Sequence, residues 1–143
     1  MAAVLVCDNQ KRNLSSFVPP PFEKNAVYGK PDVPQEIEWN EIDTRMYKAS
    51  VCCVVTLKSN KADIWFTNPE SNSVWIKLRV LDQNANILGE TGLLYPGEYV
   101  KTLYFDSVPQ SGETVELKIM AYEPETYYSA GSAVIKTTVT GGD

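Results

Sequence analysis

The sequence predicts an all-β protein, a single sandwich of two antiparallel sheets with about seven strands. The strongest observation is the stretch from Val74 to Leu81, where positions alternate with the period of two that a half-buried strand requires. Residues typical of turns separate several other short apolar runs. No stretch carries the long apolar periodicity of an amphipathic helix. Together these observations favour sheets packed on sheets.

Length and charge limit the possible functions. The chain has 143 residues, enough for one domain with a core. Its 13 Lys and Arg against 18 Asp and Glu give a net charge of -5, and no basic run exceeds Lys11-Arg12, so we expect no nucleic-acid partner. No apolar run is long enough to span a bilayer, and Met1 to Cys7 lacks the features of a secretory signal. We therefore expect no direct membrane insertion and, if Met1 is the native start, a cytoplasmic protein.

Residues 1–33 form the first predicted unit, an extended N-terminal arm. Pro19-Pro20-Pro21 and Pro31 favour extended backbone over packed structure. A disordered tail is one interpretation of such a terminus. The other is an arm whose small apolar groups enter pockets on a neighbouring subunit. For that case we predict partner contacts at Val4, Leu5, Val6, Leu14, Phe17, Val18, Phe22, Val27 and Tyr28.

Residues 34–45 form the second predicted unit, a short helix or connector. Asp32 could cap a helix, Pro34 suits its first turn, and Glu36 and Glu38 suit its positively polarised end. The pattern predicts a helix over residues 34–43. Its acidic side chains are typical of a solvated face, and a docking patch is the alternative.

Residues 46–140 form the predicted sandwich domain. Its turn signals include Asp82 to Asn86, whose short polar side chains bond locally to the backbone, and Pro96-Gly97, which suits a type II turn with positive φ at the glycine. The predicted strands lie between such signals, at Met46 to Leu57, Ala62 to Thr67, Val74 to Leu81, Ile87 to Gly89, Tyr99 to Phe105, Val115 to Tyr122 and Ser132 to Thr140.

No constellation of residues points to catalysis. The sequence has no histidine, so proton transfer would fall to carboxylates, Tyr or Lys, and nothing pairs them convincingly. Cys7, Cys52 and Cys53 are best interpreted as free thiols in a reducing compartment, since zinc needs spaced ligands and usually four. Asp82 to Asn86 begins like a calcium loop, but the required Gly and bidentate Glu are missing. We therefore predict no enzyme activity, no cofactor and no metal.

The tryptophans offer a different kind of site. Trp39, Trp65 and Trp75, with Tyr127-Tyr128 on a predicted loop, could stack on sugar rings. They could equally belong to the core or to a protein interface, and the outward position of Trp75 on its strand favours the interface. We therefore include Trp75 among the predicted partner-binding residues and keep a glycan as the less favoured ligand.

Two stretches of the domain resemble a known group of proteins. They are NPESNSVWIKLRVLDQNANILGETGLLYPGEYV, which starts at Asn68, and GETVELKIMAYEPET, which ends at Thr126, and a final strand follows them. This order of strand, Pro-Gly turn and late Tyr-x-Pro-Glu-Thr loop is similar to that of small immunoglobulin-like β-sandwich proteins of Gram-positive bacteria and their mobile elements and phages. The resemblance covers residues 68–139 and implies an immunoglobulin-like sandwich. Several such proteins carry an N-terminal membrane anchor before a short helix. Residues 1–143 include no such segment, so we expect either that this relative works without an anchor or that the sequence has been shortened to begin at a new Met1.

The predicted function is structural. An acidic domain with free thiols, no secretion signal and an apolar arm fits an accessory or decoration subunit of a bacteriophage particle, assembled in the bacterial cytoplasm into the virion. Its partners would be copies of itself or a larger structural protein. The alternative is a membrane-anchored module on the surface of a Gram-positive cell that binds a protein or a glycan.

Overall fold

A computed structural model describes residues 17–141. Within this range the chain forms ten strands and no helix, and so no helix that could cross a membrane. The strands are β1 (Val27–Tyr28), β2 (Trp39–Asp43), β3 (Lys48–Cys52), β4 (Val55–Lys58), β5 (Lys61–Thr67), β6 (Trp75–Leu81), β7 (Ile87–Glu90), β8 (Glu98–Tyr104), β9 (Thr114–Tyr122) and β10 (Ser129–Gly141).

The strands join into one curled, open sheet. Its order is β1-β8-β5-β4-β10-β9-β6-β7, and β3 branches from β5 and carries β2. The long strand β10 joins the two halves of the sheet, because it pairs antiparallel with β9 over most of its length and parallel with β4 at Val139–Gly141. This parallel pair departs from the wholly antiparallel arrangement that we predicted.

The core fills the inside of the curled sheet. Alternate residues of β6 (Ile76, Leu78 and Val80) and of β9 (Leu117 and Ile119) are fully buried, and one apolar cluster joins them to buried residues of the other strands. The inward positions of the predicted alternation are therefore confirmed, although Lys77 on the other face of β6 is also buried. Each fully buried side chain of this size contributes about 1.5–3 kcal/mol relative to an exposed one.

The turns of the β6–β8 region follow the sequence closely. The chain reverses at Asp82, whose Oδ1 accepts hydrogen bonds from the backbone N–H groups of Asn84 (2.8 Å) and Asn86 (2.9 Å). Gly97 has a φ of 92°, the left-handed conformation that the Pro-Gly turn predicts. Local side-chain chemistry thus determines these two reversals.

The predicted helix over residues 34–43 is wrong. Trp39–Asp43 instead forms β2, which pairs antiparallel with β3 from Trp39 opposite Cys52 to Asp43 opposite Lys48. The helix-start signal yields only a turn, in which the Ile37 N–H donates to the Pro34 carbonyl at 3.1 Å. Pairing with a neighbouring strand outweighs the local helix signals, because capping residues contribute little without a stripe of apolar residues behind them.

The predicted number of strands is also too low. Two of the additional strands, β1 and β2, come from residues assigned to the arm and to the connector. A third arises because the predicted strand over Met46 to Leu57 is interrupted after Cys52, so that β3 and β4 pair with different parts of β5. A β-branched run alone does not show where a strand bends.

Candidate interaction surface

The arm is attached to the domain by its own backbone. Phe22 forms a parallel bridge with Leu93, the Glu23 N–H donates to the Leu93 carbonyl at 2.9 Å, and the Leu93 N–H donates to the Pro21 carbonyl at 2.9 Å. The Glu23 carboxylate also accepts the Gly92 N–H at 2.8 Å. A Cβ atom on Gly92 would lie 2.4 Å from the Glu23 nitrogen, so the two backbones approach this closely only at a glycine.

A second attachment follows a few residues later. β1 pairs with β8, Val27 opposite Tyr99 and Tyr28 opposite Glu98, and the Gly29 N–H donates to the Gly97 carbonyl at 2.8 Å. The Tyr28 hydroxyl donates to Glu70 at 2.8 Å, and this hydrogen bond raises the pKa of Tyr28. The described part of the predicted arm therefore lies along its own domain.

The arm's aromatic rings join those of the domain in one group, the aromatic cluster, which consists of Phe17, Phe22, Trp75, Tyr95 and Tyr127. Phe22 is stacked on Tyr95 with ring centroids 4.2 Å apart and meets Trp75 edge-on at 4.8 Å. Trp75 contacts Tyr127 at 5.6 Å, and Tyr127 contacts Phe17 at 6.0 Å. Such pairs contribute about 0.5–1.5 kcal/mol each beyond their burial, so the cluster fixes the arm to the domain.

Four exposed apolar residues belong to this cluster or are next in sequence to one of its members. Val18 is 82% exposed and Tyr128 is 69% exposed, and Phe17 and Tyr95 are also exposed. We name these four residues the root patch, because they lie where the described chain begins. Exposed large apolar residues next to an aromatic cluster are candidates for a protein-interaction site.

The predicted partner-binding residues thus fall into three groups. Phe22 and Trp75 are brought together in the aromatic cluster, and Phe17 and Val18 lie at its exposed rim. Val27 and Tyr28 are exposed on β1, which pairs with β8. Val4, Leu5, Val6 and Leu14 lie outside the described residues.

Sequence reasoning missed Tyr95 as a member of the site. Tyr95 directly precedes the Pro-Gly turn, and its ring covers Phe22. An apolar residue at the tip of a turn is an available signal, since turn positions are usually polar. Tyr127 was among the aromatic residues predicted to contact a sugar or to belong to the core or to a protein interface, but it was not among the predicted partner-binding residues.

A cleft on another part of the domain is the second candidate site. It has a volume of about 540 Å³ and is lined by Lys30, Trp39, Glu41, Ser50 and Glu70, among others. The Trp39 indole N–H donates to the Trp65 carbonyl at 2.8 Å. Trp65 has a φ of 48° at a register shift of β5, and irregularities of this kind re-aim side chains.

Trp65 itself belongs to a small aromatic surface. Its ring lies over Tyr99 with centroids 6.2 Å apart, and the Lys101 ammonium is 5.3 Å from the centroid of the Trp65 ring. Its indole nitrogen is buried and has no hydrogen-bond partner in the described part of the chain. The Trp65 ring is the kind of aromatic surface on which the apolar face of a sugar ring can stack.

Burial and hydrogen bonds explain the shifted pKa values of Glu90, Cys52 and Asp82. Burial raises the pKa of Glu90, but hydrogen bonds from Arg79 and Lys77 outweigh it, and the net pKa is lowered. Burial raises the pKa of the Cys52 thiol, which donates to the Val54 carbonyl at 3.2 Å. The pKa of Asp82 is lowered by the hydrogen bonds of its turn. These groups stabilise the fold where they lie.

Comparison of the chain with protein-family models and with curated proteins gives no match. The resemblance to small immunoglobulin-like proteins of Gram-positive bacteria and their phages therefore stays a prediction. The function must be argued from the arm, the root patch and the cleft themselves.

Proposed function

We propose that this protein is a non-catalytic assembly subunit, an accessory or decoration protein of a bacteriophage particle that is held in place by its N-terminal arm. Its partners are copies of itself or a larger structural protein. In this proposal the curled sheet is an immunoglobulin-like sandwich that serves as the rigid body. The observation that carries the proposal is the double attachment of the arm to Leu93 and to β8, which ends at the exposed root patch.

A fixed arm root supports a role in assembly. Because residues 21–23 and 27–29 are bonded to the domain, the chain upstream of Phe17 leaves from a defined point beside Tyr127. A fixed attachment point reduces the conformational freedom that is lost on association. The apolar side chains of the root patch add contact area next to it.

The polar chemistry of the domain supports a non-catalytic role. Glu90 is engaged by Lys77 and Arg79, and Asp82 by its own turn. The Cys52 thiol has a raised pKa, and a raised pKa disfavours the reactive thiolate. Each of these groups is committed to a structural contact.

The composition of the chain supports assembly in the bacterial cytoplasm. A net charge of -5 without a basic run is poorly suited to nucleic acid, and free thiols suit a reducing compartment. Both properties fit a subunit that assembles in the bacterial cytoplasm before it leaves in a particle.

A second candidate is a cell-surface module of a Gram-positive bacterium that binds a protein or a glycan. The cleft with Trp39 at its wall and the nearby Trp65–Tyr99 surface favour it. Carboxylates such as Glu41 and Glu70 could accept hydrogen bonds from sugar hydroxyls.

Particle incorporation tests the proposal. The full chain and a variant that lacks residues 2–16 are expressed in infected host cells, and particles are purified on a density gradient. We expect the full chain to co-purify with particles and the shortened chain to remain outside them, with equal thermal stability of the two purified proteins. Recovery of the full chain in the cell envelope, and none in particles, would contradict the proposal and favour the surface module.

A further inference from the structure

The strand β10 presents a long open edge. On one side it pairs with β9 from Ser129 to Thr138, whereas β4 pairs with its other side only at Val139–Gly141. Within residues 17–141, no backbone hydrogen bond reaches the outer side of the stretch from Ala130 to Thr138. We name Ser129–Thr138 the β10 edge. A row of free N–H and C=O groups of this length is a template for an added strand.

The β10 edge is poorly protected against such pairing. Natural edge strands usually carry charges, Pro or bulges along their length. β2, another outer strand of the sheet, carries Glu41 and Asp43 within five residues. A register shift interrupts the β10 edge between Ser129 and Ser132, but the pairing with β9 is regular from Ser132 to Thr138. Within that regular stretch Lys136 is the only charge, and Val134 at its centre is 50% exposed. The β10 edge is therefore the more receptive of the two edges.

The core is incompletely covered beside this edge. Ile135 packs against the core cluster yet remains partly exposed, and Ala133 and Thr137 on the same face of β10 are also only half-buried. A strand added next to β10 would bring apolar side chains over these residues. Burying them would contribute about 25 cal/mol for each Å² removed from water.

The arm root lies beside one end of the β10 edge. Phe17 contacts Tyr127, which is two positions before Ser129 in the sequence. The chain upstream of Phe17 contains the most strand-like segment of the arm, Ala2 to Cys7, with Val4, Leu5 and Val6 at its centre. Pro is absent from that segment, so each of its residues can donate a backbone hydrogen bond.

We propose that the segment Ala2–Cys7 of one copy adds as a strand to the β10 edge of a second copy. This inference rests on the proposed function, and it names the receiving surface. Backbone hydrogen bonds provide the affinity, and alternate side chains of the segment, Val4 and Val6 on one face, cover the half-buried residues of β10.

The spacing favours a second copy over the chain's own edge. An extended chain directed along β10 from Phe17 advances about 3.3 Å per residue, as the strand does. It would then place the polar residues between Asp8 and Asn13 beside β10, bring Val6 level with Thr138 and carry Val4 and Leu5 beyond it. Those polar residues, which include Lys11-Arg12, make a poor apolar cover but a suitable spacer of about 20 Å to a neighbour.

Two substitutions test the added segment Ala2–Cys7 (the donor segment) and the receiving β10 edge separately. Leu5→Asp replaces the central residue of the donor segment by Asp, a residue type that is depleted in strands. Val134→Glu places a charge at the centre of the β10 edge. Glu at this position faces Lys118 on β9, so the pair across the strands is favourable and the fold should persist. Val108→Glu is the matched control, because Val108 is 49% exposed and lies in the loop between β8 and β9.

Sedimentation velocity measures the self-association of each variant. Melting temperatures equal to that of the full chain show that each variant is folded. We expect the full chain and the Val108→Glu variant to self-associate, and Leu5→Asp and Val134→Glu each to weaken association at least about tenfold. An equimolar mixture of the two weak variants should regain association, because it still contains one intact segment and one intact edge. A mixture that stays monomeric, or a full chain that is monomeric throughout, would overturn the inference.

The outcomes distinguish this inference from the proposed function. If Leu5→Asp blocks both association and entry into particles while Val134→Glu changes neither, the arm binds a different surface. The proposed assembly function then stands and the β10 edge is excluded as its receiver. If deletion of residues 2–16 leaves entry into particles unchanged, the proposed function itself fails.

Discussion

The ring of Phe22 lies parallel to the ring of Tyr95, with an interplanar angle of 6° and centroids 4.2 Å apart. Phe22 belongs to the arm, and Tyr95 precedes the Pro-Gly turn before β8. Trp75 closes the arrangement with edge-on contacts to both rings, at 4.8 Å and 5.4 Å. These contacts, together with the backbone pairs to Leu93 and β8, hold the described part of the arm on the domain.

Removal of the Phe22 ring should release the arm root. In Phe22→Ala the stacked and edge-on contacts are lost, and because Phe22 is only half-buried we expect a loss of about 1–3 kcal/mol, below the usual cost for a core Phe. Urea unfolding measures the change in free energy, and limited proteolysis reports release of residues 17–24 as faster cleavage. Phe17→Ala, at the exposed rim, should change the free energy by less than about 1 kcal/mol. Equal losses in the two variants would contradict the assigned role of Phe22.

A methyl group at Gly92 should separate the arm from the domain. The added Cβ would lie within 2.6 Å of three backbone atoms of Phe22 and Glu23, and backbone cannot rotate away as a flexible side chain can. We expect Gly92→Ala to lower stability by about 1–3 kcal/mol. In a chain that starts at Asn25 the same substitution should be nearly neutral, since the opposing backbone is gone. A loss that persists in the shortened chain would show that Gly92 is needed for another reason.

Parts of this architecture follow from local sequence, and others do not. Alternation predicts β6 and β9 because their inward residues, such as Leu78 and Ile119, meet one core. The turns at Asp82 and Gly97 follow from side-chain and φ requirements of single residues. β2 could not be predicted, because its conformation depends on pairing with β3 rather than on its own residues.

The candidate site depends even more on tertiary contacts. Phe22 could be identified as an apolar residue with no place in a strand, but its partner Tyr95 is far away in sequence. Trp75 was expected to face outward, and its position in β6 agrees, yet the arm covers it and leaves it half-buried. Likewise Lys77, which alternates along β6 with the inward residues Ile76 and Leu78, is buried beside Glu90. Periodicity assigns a face of a strand but does not show what later covers that face.

The adjacent thiols should differ in reactivity. Cys52 is buried, and burial raises the pKa of its thiol above the ordinary value of 9.0, whereas Cys53 is partly exposed. We expect alkylation of Cys52 in the folded protein to be at least about tenfold slower than in urea, because the thiolate is the reactive form. Mass spectrometry of digested samples locates the label, and Cys53 serves as the internal control. Faster labelling of Cys52 than of Cys53 would show that the chain between β3 and β4 moves in solution and exposes Cys52.

Protonation of Glu90 should weaken the fold in acid. Hydrogen bonds from Arg79 (2.8 Å) and Lys77 (3.0 Å) outweigh burial and lower the pKa of Glu90 below its ordinary value of 4.5. A lowered pKa in the folded state means that the stabilisation is complete above the unfolded-state pKa and is lost as the pH falls through the folded-state pKa.

Glu90→Gln should therefore be less stable than the parent at neutral pH, by about 1–3 kcal/mol, because the buried ammonium of Lys77 loses its charged partner while Glu90 itself is partly exposed. The difference between the two proteins should shrink as the pH falls below the ordinary pKa of a glutamate, since the parent then loses the same charge. Urea unfolding across this pH range measures it. In a Lys77→Met background the substitution should have a smaller effect, because no buried charge is left unpaired. A difference that stays constant with pH would mean that Glu90 acts through packing alone.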